Sequence, residues 1–176
     1  VINKILKEFK QDIFLINSKK DLKTNSFFNK RIIFCLHDKM IKKTSYTLNF
    51  ENNFNLLSNS CFNLSCPGVV MPLCHHLIEG IKVGSIPITN CEKLIFPNLN
   101  NDTSLQYSNI DQLMEKIDEA LQMDEDKILF MRSKVQEYYK THLSPEIFKQ
   151  KFKKLILQNE KKIICCDDHR SVENVI

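Results

Sequence analysis

Between Ser60 and Asn90 the chain gathers side chains that can do chemistry: Cys61, Cys66, Cys74, His75, His76 and Glu79, set around the breaker pair Pro67-Gly68. Thiols, imidazoles and a carboxylate are together the donor set of a zinc site. The spacing speaks against one. Cys74, His75 and His76 are consecutive, and on a helix of 3.6 residues per turn neighbouring side chains point about 100° apart, so the three do not converge on one ion. No C-x-x-C pair exists either. The expectation is no metal and no resident cofactor. Two other chemistries are excluded by absent motifs. The only glycines are Gly68, Gly80 and Gly84, so no Gly-rich phosphate loop can be written, and without G-x-S-x-G there is no nucleophile elbow to expose a hydrolase serine.

The elements that must carry these residues follow from apolar spacing and punctuation. Cys61 to Ser65 reads as a short strand that Cys66-Pro67-Gly68 ends. Pro72 suits a first helical turn, Leu73, Leu77 and Gly80 share a face, and Gly84 is placed to cap the far end, which predicts a helix over 72–83. Ser85 to Thr89 reads as a second strand, although Pro87 cannot donate to a ladder. Strand, turn, helix, strand is a βαβ unit, and such a crossover implies parallel strands.

The flanks are largely helical. Ile2, Ile5, Leu6, Phe9 and Ile13 predict an amphipathic helix over residues 1–16. The run Ile32 to Leu36 fits a buried strand or a helical turn, and periodicity does not choose. Phe50, Phe54, Leu56 and Leu57 suggest a short helix within 49–60. Downstream, Ser108 with Asp111 resembles a capping box ahead of the stripe Ile110, Leu113, Met114, Ile117 and Leu121. A second helix spans about 125–140 on Ile128, Met131, Val135, Tyr138 and Tyr139. A third starts at Ser144-Pro145 and should bury Phe148, Phe152, Leu155 and Ile156.

At 176 residues, with 43% hydrophobic and 26% charged side chains, the composition is that of a folded domain with a sizeable core. The 25 basic and 21 acidic residues leave a net charge of +4, too little for a phosphate-dominated nucleic-acid interface. Seven cysteines without regular spacing favour a reduced compartment over a disulfide framework. No apolar run reaches the roughly 20 residues of a membrane span.

The central stretch resembles a known family. Ser60-Cys61-Phe62-Asn63-Leu64-Ser65-Cys66-Pro67-Gly68, then His76-Leu77-Ile78-Glu79-Gly80, then Val83-Gly84-Ser85-Ile86-Pro87-Ile88 are similar to the C-terminal half of exostosin-type glycosyltransferases of the GT-B architecture. Their pattern is a strand ending in Pro-Gly, a polar loop, a helix reading Arg-x-x-Glu-Ala, and a Gly that leads into Ile-Pro-Val. The likeness covers about two thirds of the chain, with the later helices similar in order and length. It implies an α/β fold, a Rossmann-like parallel-sheet half-domain with C-terminal helices, and an enzyme that transfers a sugar from a nucleotide diphosphate to a glycan or lipid-linked acceptor.

The residues implied in donor binding are Gly68, Cys74, His75, His76 and Glu79. Ligands of open parallel sheets bind beyond the carboxyl ends of strands, which places the loop from Gly68 to Met71 at the donor. Unpaired first-turn amides and the partial positive charge of a helix start suit a diphosphate. Glu79 lies about 10 Å along that helix, at ~1.5 Å per residue, a reach that fits a carboxylate accepting hydrogen bonds from ribose hydroxyls, as the resemblance implies. Taken alone, Glu79 also reads as a solvated helix residue. Three positions depart from the family: His76 stands for Arg, Cys74 for a small hydroxyl residue and Gly80 for Ala. A neutral imidazole donates one hydrogen bond and lacks the guanidinium fork, so donor binding is expected to be weaker, pH-dependent or shared between His75 and His76.

The implied organisation is a helical and connecting segment over 1–40, the nucleotide-sugar domain over 41–160 and a tail over 161–176, the whole a piece of a longer chain. GT-B active sites lie between two halves, so no catalytic residue is assigned. Lys149, Lys151, Lys153 and Lys154 form a solvated face or a contact with an acidic membrane surface. The expected location is cytoplasmic, peripheral to a membrane, or the Golgi lumen for a eukaryotic chain. The competing readings are a non-catalytic module that keeps the half-fold and, from Phe50-Glu51-Asn52, a fucosyltransferase-like enzyme.

Overall fold

A computed structural model of the chain describes residues 1–16, 21, 32–35, 49–65 and 75–157. The fold is α/β, and the chain divides into two compact units, Val1–Asn55 and Leu56–Ile176.

In the first unit α1 (Ile2–Glu8) is followed by β1 (Ile13–Ile16), which pairs in parallel with β2 (Ile32–Cys35) from Ile13 opposite Ile32 to Ile16 opposite Cys35. The single helix expected over 1–16 is thereby corrected. At Phe9 the backbone leaves the helical region, Asp12 N–H turns back to the Phe9 carbonyl, and Ile32 N–H bonds the Asp12 carbonyl. Four consecutive apolar residues find a partner strand of like composition, and that long-range pairing overrides the local 3.6-residue spacing. It also makes the run at 32–35 a strand. Ile5, Phe9 and Ile16 are buried. The helix α2 (Phe50–Ser58) begins where the Asn49 side chain accepts from Asn52 N–H, and Phe50 stacks on Phe54 at 5.8 Å.

The second unit holds β3 (Phe62–Ser65), α3 (His75–Val83), β4 (Ile86–Thr89) and β5 (Leu105–Gln106) in a parallel sheet of order β3-β4-β5. This is the crossover that the breakers imply. Gly84 closes α3 with φ +77°, a left-handed turn for which glycine is the default residue. Pro87 occupies the central strand, where proline is normally excluded. The register explains it. Ile86 N–H donates to the Cys61 carbonyl on the β3 side, so the pleat turns the nitrogen of residue 87 toward the other side, where β5 pairs only from Ile88 onward. No ladder bond is lost.

Helices cover the sheet. Leu77 and Ile81 of α3 are fully buried and α3 packs on β3, β4 and α5 (Glu125–Tyr138). Leu113, Met114 and Ile117 of α4 (Ile110–Gln122) pack over β4 and β5, and Met131, Val135 and Tyr138 complete the core from α5. A π-helical turn (Tyr139–Leu143) links α5 to α6 (Pro145–Leu157).

Two expectations in this region are corrected. The N-cap of α4 is Asn109, whose side chain accepts from Asp111 and Gln112 N–H; Ser108 lies one residue outside, its own N–H donating to Gln112 Oε1. Phe148 and Phe152 of α6 are not buried: they are 69% and 53% exposed and stack on each other at 6.0 Å. Their helical spacing gives them one face, but no described element lies over it. The side chains of Leu155 and Ile156 fall outside the described residues.

Candidate functional site

The site is built on α3. Leu77 and Ile81 anchor the buried side of the helix, which leaves His76 and Glu79 on a partly open side, three residues and one turn apart. His76 Nδ1 lies 3.5 Å from Glu79 Oε2, with the His76 side chain 45% and the Glu79 side chain 22% exposed. At 22% exposure Glu79 is not a freely solvated helix residue. The His75 ring lies 4.2 Å from that of His76, tilted by 37°. One ligand atom from each of His75, His76 and Glu79 lies within 4.8 Å of the others. Of the five residues implied in donor binding, the structure therefore brings three together. Gly68 and Cys74 lie outside the described residues, as do the loop 66–71 and the expected first turn at 72–74.

Burial pushes the His76 imidazole below its usual value of 6.5, the neighbouring His75 pushes it in the same direction, and Glu79 acts against both through charge and a hydrogen bond. Desolvation disfavours the charged ring more than the carboxylate favours it. His76 is therefore neutral at neutral pH, a single hydrogen-bond donor and acceptor rather than a cation. A neutral imidazole against a carboxylate can order polar hydroxyl groups, but it does not supply the charge that a guanidinium would.

Beneath this turn Asn63 of β3 is 8% exposed and fixes strand to helix: its Nδ2 donates to Ser65 Oγ at 2.7 Å and to the His76 carbonyl at 3.5 Å. Its Oδ1 is buried without a hydrogen-bond partner among the described residues and lies against Gly80. The carboxyl ends of the two longer strands present Ser65 and Thr89, both buried. Sequence reasoning passes over Asn63, because its partners lie on the following helix and nothing local marks them. A polar residue at an inward-facing strand position, thirteen residues before His76, is the only trace.

Arg132 of α5 donates to the Ser60 carbonyl at 3.2 Å, which ties the entry of β3 to that helix. No helix among the described residues is long and apolar enough to cross a membrane. No protein family, curated protein or solved structure matches the chain.

Proposed function

We propose that the chain is the donor-binding half of a GT-B glycosyltransferase, holding a nucleotide-sugar for transfer to a glycan or lipid-linked acceptor. The observation that carries the reading is the placement of Glu79. It sits on the crossover helix of a parallel βαβ unit, its side chain 22% exposed and its carboxylate facing His76. Helices that follow a strand in open parallel sheets border the ligand crevice, and a fixed carboxylate there suits the two hydroxyls of a ribose. The motif order supports the same reading: in the sequence Pro67-Gly68 follows β3, and Gly84 leads into Ile86-Pro87-Ile88 as a central strand. Exposed Lys149, Lys151, Lys153 and Lys154, beside exposed Phe148 and Phe152, suit a membrane surface that presents a lipid-linked acceptor.

Thermal unfolding of the chain against a panel of nucleoside diphosphates tests the proposal, because a ligand that binds only the folded state raises the transition by mass action. One base is expected to raise it and the others not. A flat response across the panel contradicts the reading.

One observation favours a second reading, a module that keeps the half-fold without donor binding. The position that carries Arg in the resembling family is His76, neutral and engaged with Glu79. The flat response to nucleotides is what this reading predicts.

A further inference from the structure

We infer that His75, His76 and Glu79 form a site for one divalent transition-metal ion, with zinc the ion that suits the donor set. Two imidazole nitrogens and one carboxylate oxygen are a ligand set with which proteins hold zinc while leaving a fourth position open. The spacing allows it where Cys74, His75 and His76 do not. Glu79 follows His75 by four residues and His76 by three, and side chains so spaced meet on one face of a helix.

The distances agree. A tetrahedral ion with bonds of about 2.0–2.1 Å sets its ligand atoms about 3.4 Å apart. His76 Nδ1 and Glu79 Oε2 are 3.5 Å apart, the length of one edge of the polyhedron, and the ion replaces the hydrogen bond between them once the ring proton sits on Nε2. The His75 ring is already 4.2 Å from the His76 ring, and all three ligand atoms fall within 4.8 Å. Bringing His75 to coordination distance closes at most about 1.4 Å, the excess of 4.8 Å over the tetrahedral edge, by side-chain rotation, and His75 is the exposed member of the three. The backbone beneath does not have to move: fully buried Leu77 and Ile81 and the Asn63 bond to the His76 carbonyl hold this turn. The positive end of a helix opposes a cation, and the negative charge of Glu79 with two imidazole lone pairs opposes it in turn. The inference goes beyond the donor reading, since the ion needs no nucleotide.

Cobalt(II) titration of the reduced, folded chain, followed by visible absorption and reversed by zinc, tests the site. The expected result is one ion per chain with a spectrum of nitrogen and oxygen ligation and no thiolate charge-transfer band. His75→Ala and Glu79→Gln should each weaken binding by about tenfold or more, at least the loss seen when outer-shell partners are removed, while His142→Ala leaves it unchanged. Circular dichroism establishes that each variant is folded, with His75→Asn in reserve. No saturable binding, a thiolate band, or binding that survives both replacements overturns the site. Nucleotide titration of the same proteins separates the two readings: nucleotide bound without cobalt removes the metal and keeps the donor, and cobalt bound without nucleotide does the reverse.

Discussion

A Cβ added to Gly80 would stand 2.5 Å from Asn63 Oδ1, so α3 rests on β3 at a separation that glycine permits and alanine does not. Ala at this position would gain about 1 kcal/mol of helix propensity. The Asn63 amide cannot easily retreat, because it is buried and bonded to Ser65 and to the His76 carbonyl. Overpacking of this kind costs about 1–3 kcal/mol. Gly80→Ala is therefore expected to be destabilising by up to about 2 kcal/mol in urea unfolding, propensity gain included. In an Asn63→Ala background the same change should cost less by more than about 0.5 kcal/mol, the coupling expected of residues in contact. Equal costs in both backgrounds would contradict the contact.

The start of α4 gives a second prediction. Asn109 satisfies two first-turn amides, whereas Ser108 contributes only its backbone N–H, to Gln112. Asn109→Ala should lower stability by about 1 kcal/mol, and Ser108→Ala should leave it within about 0.5 kcal/mol of the parent. Chemical denaturation of the two variants measures both.

Tyr138 supplies a pH dependence. Its hydroxyl donates to the Pro97 carbonyl, and burial pushes its pKa from 10.0 up to about 12. A group whose folded pKa is raised contributes stability that is complete below its unfolded pKa and is lost as pH rises toward the folded one. The loss should therefore fall between pH 10 and about 12. Tyr138→Phe should remove this part of the alkaline decline and cost about 1 kcal/mol at neutral pH for the missing hydrogen bond. Phenolate absorbance followed through the alkaline range should show a late-titrating component that Tyr138→Phe removes.

The parts of the fold that were legible are those written in local signals. Gly84 closes the crossover helix, and the 3.6-residue stripes of α4 and α5 put Leu113, Ile117, Met131 and Val135 in the core. What escaped depends on partners distant in sequence. Residues 13–16 continue a helical stripe and become β1 only because residues 32–35 pair with them. Phe148 and Phe152 share a face, but a stripe does not say what covers it. At α4 the cap was missed by one residue, since Ser108 and Asn109 are both capping types. At the site, Glu79 and His76 were readable as one turn apart. The Asn63 contact that explains Gly80 was not, and neither was the approach of the His75 and His76 rings.

The most direct measurement is a calorimetric titration of the folded chain with nucleoside diphosphates, with Glu79→Gln titrated alongside. Glutamine keeps the shape of the side chain and removes its charge, so a loss reports on the carboxylate rather than on packing. One nucleotide should bind one-to-one, and more weakly by about tenfold or more in the variant, since hydrogen bonds to a charged group contribute about 1.5–3 kcal/mol each. A folded chain that binds no nucleoside diphosphate, or binds one equally well without the carboxylate, would contradict the donor-binding reading.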